Sequence, residues 1–425
     1  MSALRPYLLP LFAVLTLFPR LIHVPGLPPQ VQLTELLFPL LLLVYGREGW
    51  AAARRHPAVA GAVVAYCGVN LLAALLAEGD FPARTQGAVA EALGRGYLGV
   101  LAFLTAGYLK TYGDRRLRDW WTVGTAGVAT LSIIAYGTVA LGGPNVDYWV
   151  SSVKVYPYFG EVWRLRGPAA VYGMYFMLLL PGGILAAADR KWWALGPIIL
   201  ASLLTLGKEI VLLPIVGLLY VATRWRGKLV RRPALAGAAG LTVFLYLATH
   251  LIFVTPTGDV SGTAYTNDRT WWASDNLALV ETNYLENKRA ALLLTARRPW
   301  TGYGPGQFSR WTEDLVAEGR YPANFGRFDP HSAWTGSLVE TGVLGFLSLL
   351  LLVIVVGRAG AWRYAPVVGM ILAGFLIVSV FKDVMNFRGL WVLVGWWVYC
   401  TSSPRRGVRS KVLPCGRTTW ANHHS

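Results

Sequence analysis

The stretch Ala333–Val356, AWTGSLVETGVLGFLSLLLLVIVV, decides the class of fold. At about 1.5 Å per residue, a helix of this length crosses the roughly 30 Å of hydrocarbon in a bilayer. Its only ionisable residue is Glu340, and the rest is apolar or small. The stretch therefore predicts a membrane-spanning helix.

The composition of the whole chain agrees with that prediction. The 425 residues are 55% hydrophobic and 14% charged, with a mean hydropathy of +0.45, which is more apolar surface than a water-soluble fold can bury. We predict an all-α polytopic membrane protein, a single integral membrane domain over residues 1–425 with about twelve spans. The predicted spans are 6–19, 32–46, 57–77, 96–113, 120–141, 168–188, 192–206, 209–223, 234–254, 333–356, 364–381 and 388–401.

The net charge of +17 is explained by the distribution of basic residues among the loops. Those residues gather in even-numbered loops, so the positive-inside rule places these loops and both termini in the cytoplasm, with 402–425 as a basic cytoplasmic tail. The sequence contains no nucleic-acid-binding motif, and we expect no nucleic-acid partner. The basic residues of these loops and of the tail are Arg47, Arg54, Arg55, Lys110, Arg115, Arg116, Arg118, Arg190, Lys191, Arg224, Arg226, Lys228, Arg231, Arg232, Arg358, Arg363, Arg405, Arg406, Arg409, Lys411 and Arg417.

Cysteine and the N-terminus add little. The three cysteines, Cys67, Cys400 and Cys415, have no spacing typical of a disulfide framework or a metal site, so no metal is expected. The first apolar run has no small-residue processing site and is predicted to be the first span rather than a cleaved signal.

Two predicted extracytoplasmic loops are candidates for function, because long loops in compact domains usually carry it. The larger is 255–332, with helical periodicity over 275–298. The smaller is 142–167, which mixes aromatic and basic residues. These suit sugar faces and phosphates, and the alternative is an aromatic belt at the membrane interface.

Two motifs carry a family resemblance. PWTGYGPGQF, at Pro299–Phe308, contains Gly302, Gly304 and Gly306 and lacks the Lys-Ser/Thr of a phosphate-binding P-loop. HSAWTGSLVETGVLG follows at His331–Gly345. Together, and in this order, the motifs resemble the signature of the O-antigen ligase and O-antigen polymerase superfamily. The resemblance implies about twelve spans with a large outer loop between the ninth and the tenth.

The resemblance also implies a reaction. It is the inverting transfer of a glycan from undecaprenyl diphosphate to a hydroxyl of a glycan or glycolipid acceptor, without a metal or another cofactor. A sugar hydroxyl needs a base as the new C–O bond forms, and an imidazole suits that role. His331 is the predicted base, and the alternative is a polar contact at the start of a helix. The other histidines are His23, His56, His250, His423 and His424.

A departing diphosphate needs fixed positive charge if no metal ion supplies it. In the family, one arginine occupies the position that matches Lys208 here, and an ion pair between Lys208 and Glu209 is the alternative. A second family arginine falls on Tyr284, about fifteen residues before Pro299. We expect Arg269, or the pair Lys288 and Arg289, to supply that charge from a shifted position.

The spacing within the second motif leads to predictions for three of its residues. Glu340 follows His331 by two and a half turns of a continuous helix, which places the two side chains on opposite faces and disfavours a direct dyad. An ionisable residue at that depth is a functional candidate, and it can brace the bundle by hydrogen bonds. Gly342 and Gly345 are predicted to allow close helix packing.

The sequence thus predicts a multi-pass glycosyltransferase of the cytoplasmic (inner) membrane, in contact with its lipids, with the active site facing the outside or periplasm. Polymerase and ligase both remain open. Two alternatives are a transporter or flippase of the lipid-linked oligosaccharide, which would require polar or broken helices at mid-membrane depth, and an inactive relative that only binds it.

Overall fold

The structure is a computed structural model that describes most of the chain. The described residues are 3–19, 33–77, 83–145, 149–155, 160–169, 171–224, 227–250, 253–255, 270–274, 278–280, 283–322, 330–359 and 365–402.

The described part of the chain is dominated by α-helices that follow the apolar runs. They are α1 (Arg5–Leu15), α2 (Leu33–Arg55), α3 (Pro57–Leu75), α4 (Ala83–Tyr112), α5 (Arg115–Ala140), α6 (Tyr172–Ala188), α7 (Trp192–Leu204), α8 (Leu212–Arg224), α9 (Lys228–His250), α10 (Asn283–Arg297), α11 (Phe308–Ala317), α12 (Ala333–Arg358), α13 (Pro366–Val378) and α14 (Arg388–Ser402). Proline stands at the first turn of α3 and α13, where its missing N–H and fixed φ favour a helix start. A helix overlaps each predicted span.

Several of these helices fit a multi-pass membrane protein. Six helical stretches within the described residues are long and apolar enough to cross a bilayer: Leu33–Arg55, Pro57–Leu75, Gly87–Tyr112, Arg115–Ala140, Leu229–Thr249 and Ala333–Arg358. Four shorter apolar helices accompany them: Arg5–Leu15, Gly173–Ala188, Trp192–Leu204 and Pro366–Val378. The helical, membrane-type fold is therefore confirmed, and the number of twelve spans stays a prediction.

The largest departure from the predicted spans is in α4, which begins at Ala83 rather than near residue 96. Its first turns carry Glu91 and Arg95, which hydropathy assigns to a loop. Both form ion pairs in the helix, and the Arg95 side chain is 5% exposed. Pairing offsets the cost of burying the charge, and a hydropathy profile does not detect it.

Two small antiparallel sheets were not predicted. In the 142–167 loop, β1 (Val150–Val155) pairs with β2 (Gly160–Leu165). In the second sheet, β5 (Ala278–Val280) lies between β3 (Phe253–Thr255) and β4 (Thr270–Ala273). Strand β3 begins inside the predicted ninth span 234–254, because α9 ends at His250. The helix predicted over 275–298 is therefore shorter, because α10 begins only at Asn283.

One face of the bundle gathers the loops that concern function, and we call it the site end. There the α7–α8 turn contacts the end of α9 through Lys208 and Thr249. The α13–α14 turn contacts the start of α4 through Asn386 and Glu91. The starts of α6 and α12 reach the same face. Gly173 of α6 lies beside the Glu209–Lys382 pair, and Ala333 of α12 hydrogen-bonds to the α13–α14 turn.

Helix α12 is broken at Gly342, where φ is 68° and ψ is −168°. Essentially only glycine adopts this conformation. The break frees backbone groups that would otherwise bond within the helix, and the glycine-rich segment fills it. The carbonyl oxygens of Val339 and Glu340 accept from the N–H groups of Tyr303 at 3.1 Å and Gly304 at 2.8 Å.

The donor on the other side of the break is satisfied in the same way. The N–H of Val343 donates to the carbonyl oxygen of Pro299 at 2.7 Å. A Cβ on Gly342 would lie 2.2 Å from the Trp300 carbonyl oxygen, and one on Gly302 would lie 2.4 Å from the Glu340 carbonyl carbon. Gly342 therefore packs against the glycine-rich segment and not against a helix, and the two sequence motifs interlock. A Cβ on Gly345 would meet Thr341 of its own helix.

We expect Gly342→Ala to lower the thermal unfolding midpoint of the purified protein in detergent. The backbone conformation alone costs about 1–3 kcal/mol for a residue with a Cβ, and the contact with the Trp300 carbonyl adds to that cost. Gly357→Ala is the matched control, because it lies in the same helix with open space around it. Equal midpoints for the two variants would contradict the interlock.

Candidate functional site

The start of α12 is fixed against the α13–α14 turn. Ser332 caps the helix, its hydroxyl accepting from two backbone N–H groups of the first turn. The N–H of Ala333 donates to the carbonyl oxygens of Ser379 and Lys382, at 2.9 and 3.2 Å. His331, directly before the cap, has a φ of 47°, an uncommon value for a residue other than glycine. Its backbone is held where the helix emerges at the site end.

The imidazole of His331 stacks on the ring of Tyr284 from α10. The ring centroids are 4.7 Å apart and the planes are inclined by 34°. The ammonium of Lys208 lies over the same Tyr284 ring, 4.8 Å from its centroid, and donates to the carbonyl oxygen of Thr249 at 3.3 Å. Tyr284, which stands where the resembling family has an arginine, thus contacts both the predicted base and the predicted phosphate ligand.

Lys288 follows Tyr284 by one helical turn and lies on the same face of α10. Its ammonium is 5.0 Å from the ring centroid of Tyr246 and donates to the carbonyl oxygen of Val380 at 3.1 Å. Burial lowers the pKa of Lys288 to about 8. Burial does the same to Lys208, whose pKa also falls to about 8. Both amines remain mostly charged at neutral pH and titrate within the range of an assay.

Glu209 pairs with Lys382 and not with its neighbour Lys208. The Lys382 ammonium lies 3.0 Å from a Glu209 carboxylate oxygen, and both side chains are buried. Burial raises the pKa of Glu209, but the Lys382 charge outweighs it and the pKa stays below its ordinary value. A Cβ on Gly173 would lie 2.1 Å from the same carboxylate, so only glycine fits beside the pair.

A further cation reaches the cluster from the β1–β2 hairpin. Arg164 donates to the carbonyl oxygens of Thr205 at 3.0 Å and Leu206 at 3.2 Å, at the end of α7. These contacts hold the hairpin beside the turn that carries Lys208. The hairpin of the smaller loop therefore lies at the site end, and the role of its basic and aromatic residues stays a prediction.

The other predicted clamp residues have different outcomes. Arg289 forms an ion pair with Glu286 on its own helix. Arg269 lies outside the described residues. Lys382 was missed by sequence reasoning. Its signal was a basic residue directly after an apolar span, on the predicted outer side where basic residues are scarce.

Glu340 belongs to a buried polar network below the site. Its carboxylate accepts from the Arg95 guanidinium at 2.9 Å, and Arg95 also donates to the Asn70 side chain at 2.6 Å. Glu91 lies 3.6 Å from the same guanidinium and accepts from the Asn386 amide at 2.7 Å. The network ties α3, α4 and the α13–α14 turn to α12 beside its break.

The three glycines of the first motif serve this junction. Gly302, Gly304 and Gly306 all have positive φ, a conformation that glycine adopts without strain. A Cβ on Gly304 would lie 2.8 Å from Ala77, and one on Gly306 would lie 3.5 Å from Glu91. The segment is shaped to fit α12 and α4 and does not cradle the lysines.

An apolar groove of about 160 Å³ opens next to the site between α12, α13 and α14. Ala333, Trp334 and Ser379 line one end, adjacent to the His331 turn, and Val356 and Trp397 line the other. Its two ends thus lie near opposite ends of α12. The groove leads from the charged cluster along the apolar part of the bundle.

Of the remaining histidines, His56 lies at the end of the bundle opposite the site, before α3. His23, His423, His424 and the side chain of His250 lie outside the described residues. Within the part of the chain that the structure describes, no group of three or more His, Cys, Asp or Glu side chains could hold a metal ion.

Comparisons with known proteins do not assign the chain to a family. A scan against protein-family models finds no match, and a search of curated proteins finds none.

We expect Lys382→Met to destabilise the protein, because it leaves the Glu209 carboxylate buried and unpaired. Breaking a buried pair in this way costs roughly 3–5 kcal/mol. The double variant Lys382→Met/Glu209→Gln should recover most of the loss in thermal unfolding midpoint.

Arg297→Ala is the control, since it removes an ion pair with Glu318 that water screens, and its midpoint should hardly move. A lowered carboxyl pKa stabilises the fold above the ordinary value of 4.5 and ceases to do so as the pH falls through the lowered pKa. The difference in thermal unfolding midpoint between wild type and the double variant should therefore become smaller as the pH is lowered. A double variant no better than Lys382→Met would contradict the pairing.

Proposed function

We propose that this protein is a membrane glycosyltransferase of the O-antigen ligase and polymerase type. It would transfer a glycan from undecaprenyl diphosphate to a sugar hydroxyl, with inversion and without a metal. The observation that carries the proposal is the convergence of one imidazole and two lysines, through Tyr284 and its helix, at one end of an apolar helix bundle. A base and fixed cations are the two requirements of this reaction.

His331 would accept the proton of the acceptor hydroxyl while the hydroxyl oxygen bonds to the anomeric carbon of the donor. The bond from that carbon to the diphosphate breaks in the same step, and its electrons leave with the diphosphate. Lys208 and Lys288 would stabilise the added negative charge. Lysine provides a point charge where the family arginine would provide a fork of donors.

The apolar groove supports a lipid-linked donor. It begins beside His331 at Ala333 and runs along α12, so a polyprenyl chain lying in it would present its diphosphate to the lysines. A water-soluble sugar nucleotide would have no use for such a groove.

The proposed location is the cytoplasmic membrane. The end of the bundle opposite the site carries the basic turns after α2, α4, α6 and α8, which the positive-inside rule assigns to the cytoplasm with both termini. The site end would then face the outside or periplasm, where lipid-linked glycans are displayed.

A transporter or flippase of the same lipid-linked glycan is the second candidate, and one observation favours it. Helix α12 is broken near buried Arg95 and Glu340, as substrate pathways of transporters often are. The backbone groups at the break already hydrogen-bond to the glycine-rich segment. They are therefore not available to bind a transported substrate. An inactive binding relative is the third candidate.

We expect the purified protein to transfer glycan from undecaprenyl-diphosphate oligosaccharide in the presence of EDTA. His331→Ala should lower kcat by about 10²- to 10⁴-fold, the usual contribution of a general base. His56→Ala, at the opposite end of the bundle, is the matched control. Product is measured by gel or mass spectrometry, and a ladder of chain lengths would identify a polymerase.

Full activity in His331→Ala would overturn the base assignment. A wild type that binds the donor without turnover, but moves it across a vesicle bilayer, would identify a transporter. Binding with neither outcome would identify an inactive relative.

The KM for the donor should rise as the pH passes about 8, because Lys208 and Lys288 lose their charge there. The double variant Lys208→Arg/Lys288→Arg keeps both charges and should hold KM constant up to pH 9. The measurement is initial rate against donor concentration at several pH values. Identical pH dependence in wild type and double variant would show that these lysines do not bind the diphosphate.

A further inference from the structure

One aromatic ring at the site end contacts both groups that the proposed reaction needs. The Tyr284 centroid lies 4.7 Å from that of His331 and 4.8 Å from the Lys208 ammonium. Tyr284 is half-buried on α10, while His331 belongs to the turn before α12 and Lys208 to the α7–α8 turn. The ring is therefore the point where three separate elements meet.

We propose that Tyr284 is a positioning residue, whose ring fixes the orientation of the His331 imidazole beside the Lys208 ammonium. This role rests on the proposed function of His331 as a base. It is specific to this chain, because the resembling family is expected to carry an arginine at the same position.

The contact with Tyr284 acts on the side chain of His331 and not on its backbone. Hydrogen bonds of Ser332 and Ala333 fix the backbone beside it, but they do not set the side-chain rotation of His331. A stacked ring restricts that rotation, and a base must hold its nitrogen near the acceptor hydroxyl to be effective. A plain aromatic face is sufficient for this task, so the role does not require the Tyr284 hydroxyl.

The contact of the same ring with Lys208 has its own consequence. A protonated imidazole and the Lys208 ammonium would stand closer than the screening length of about 10 Å at 0.1 M salt, so they would repel each other. The shared ring attracts each of the two cations and so offsets part of this repulsion. The ring thus lets a base that becomes positive work beside a lysine that binds a negative leaving group.

The first test reads His331 directly and does not depend on activity. Full-length protein in detergent is treated with diethyl pyrocarbonate at pH 7, and modification of the peptide that contains His331 is followed by mass spectrometry. Removal of the ring in Tyr284→Leu should raise the rate several-fold, on the order of 5-fold, because the stack no longer covers the imidazole. Tyr284→Phe should match the wild type.

Tyr246→Leu is the matched control, since it removes a ring beneath another lysine, Lys288, without touching His331. It should change the donor KM and leave the His331 modification rate at the wild-type value. If Tyr284→Leu does not fold, as judged by its unfolding midpoint, Tyr284→Met replaces it with a flexible apolar side chain of similar reach.

The second test uses turnover. Tyr284→Leu should lower kcat by about 10- to 100-fold, the cost of a misplaced catalytic group, with KM for the donor within about 2-fold of wild type, and Tyr284→Phe should restore kcat. Equal losses in Phe and Leu variants, or an unchanged His331 modification rate in Tyr284→Leu, would overturn the positioning role. Failure of the proposed function is distinct, because it would appear as full activity in His331→Ala whatever the modification rates.

Discussion

The architecture of the site depends on the break in α12 at Gly342. A helix interrupted inside an apolar bundle exposes amide and carbonyl groups whose burial costs several kcal/mol each if they stay unpaired. The segment from Pro299 to Gly304 supplies the missing partners, and its glycines allow the two backbones to approach. One consequence is that the 255–332 loop is anchored to the bundle. Another is that α10, which leads directly into this segment, is placed where Tyr284 contacts His331 and Lys288 reaches the carbonyl of Val380 after α13.

The positions of the helices could be predicted because length and hydropathy alone decide them. The bounds of the predicted span 333–356 and of the observed α12 differ by two residues at one end, although the break at Gly342 was not predicted, and the bounds of α3 and α14 are also close to the prediction. The prediction of helix bounds failed at the start of α4, where ion pairing offsets the cost of burying charged side chains. Arg95 and Glu91 are charged residues in a polar stretch, yet both lie in α4, and their partners Glu340 and Asn386 are distant in sequence. Periodicity also failed at the short strand Ala278–Val280, whose pairing with two other strands is not visible locally.

The site could be predicted only in part. His331 and Lys208 were predicted from their motif positions, and in the structure both contact the ring of Tyr284. Tyr284 was noted as a departure because the expected residue was a cation, and an aromatic ring does not replace a charge. Its contact with His331 requires the docking of α10, which no local pattern encodes. Lys382 was overlooked for a similar reason, since its partner Glu209 comes from a different turn.

The interlock at Gly342 also bears on the order in which the protein is made. Synthesis delivers Pro299 and the glycines before the residues around Gly342, so the glycine-rich segment already exists when α12 forms. The amide of Val343, which has no partner within the helix, then bonds to the Pro299 carbonyl. Formation of α12 and docking of this segment are therefore coupled, and α13 and α14 follow them in the chain. A chain halted before α12 would lack the His331 turn against which α10 packs.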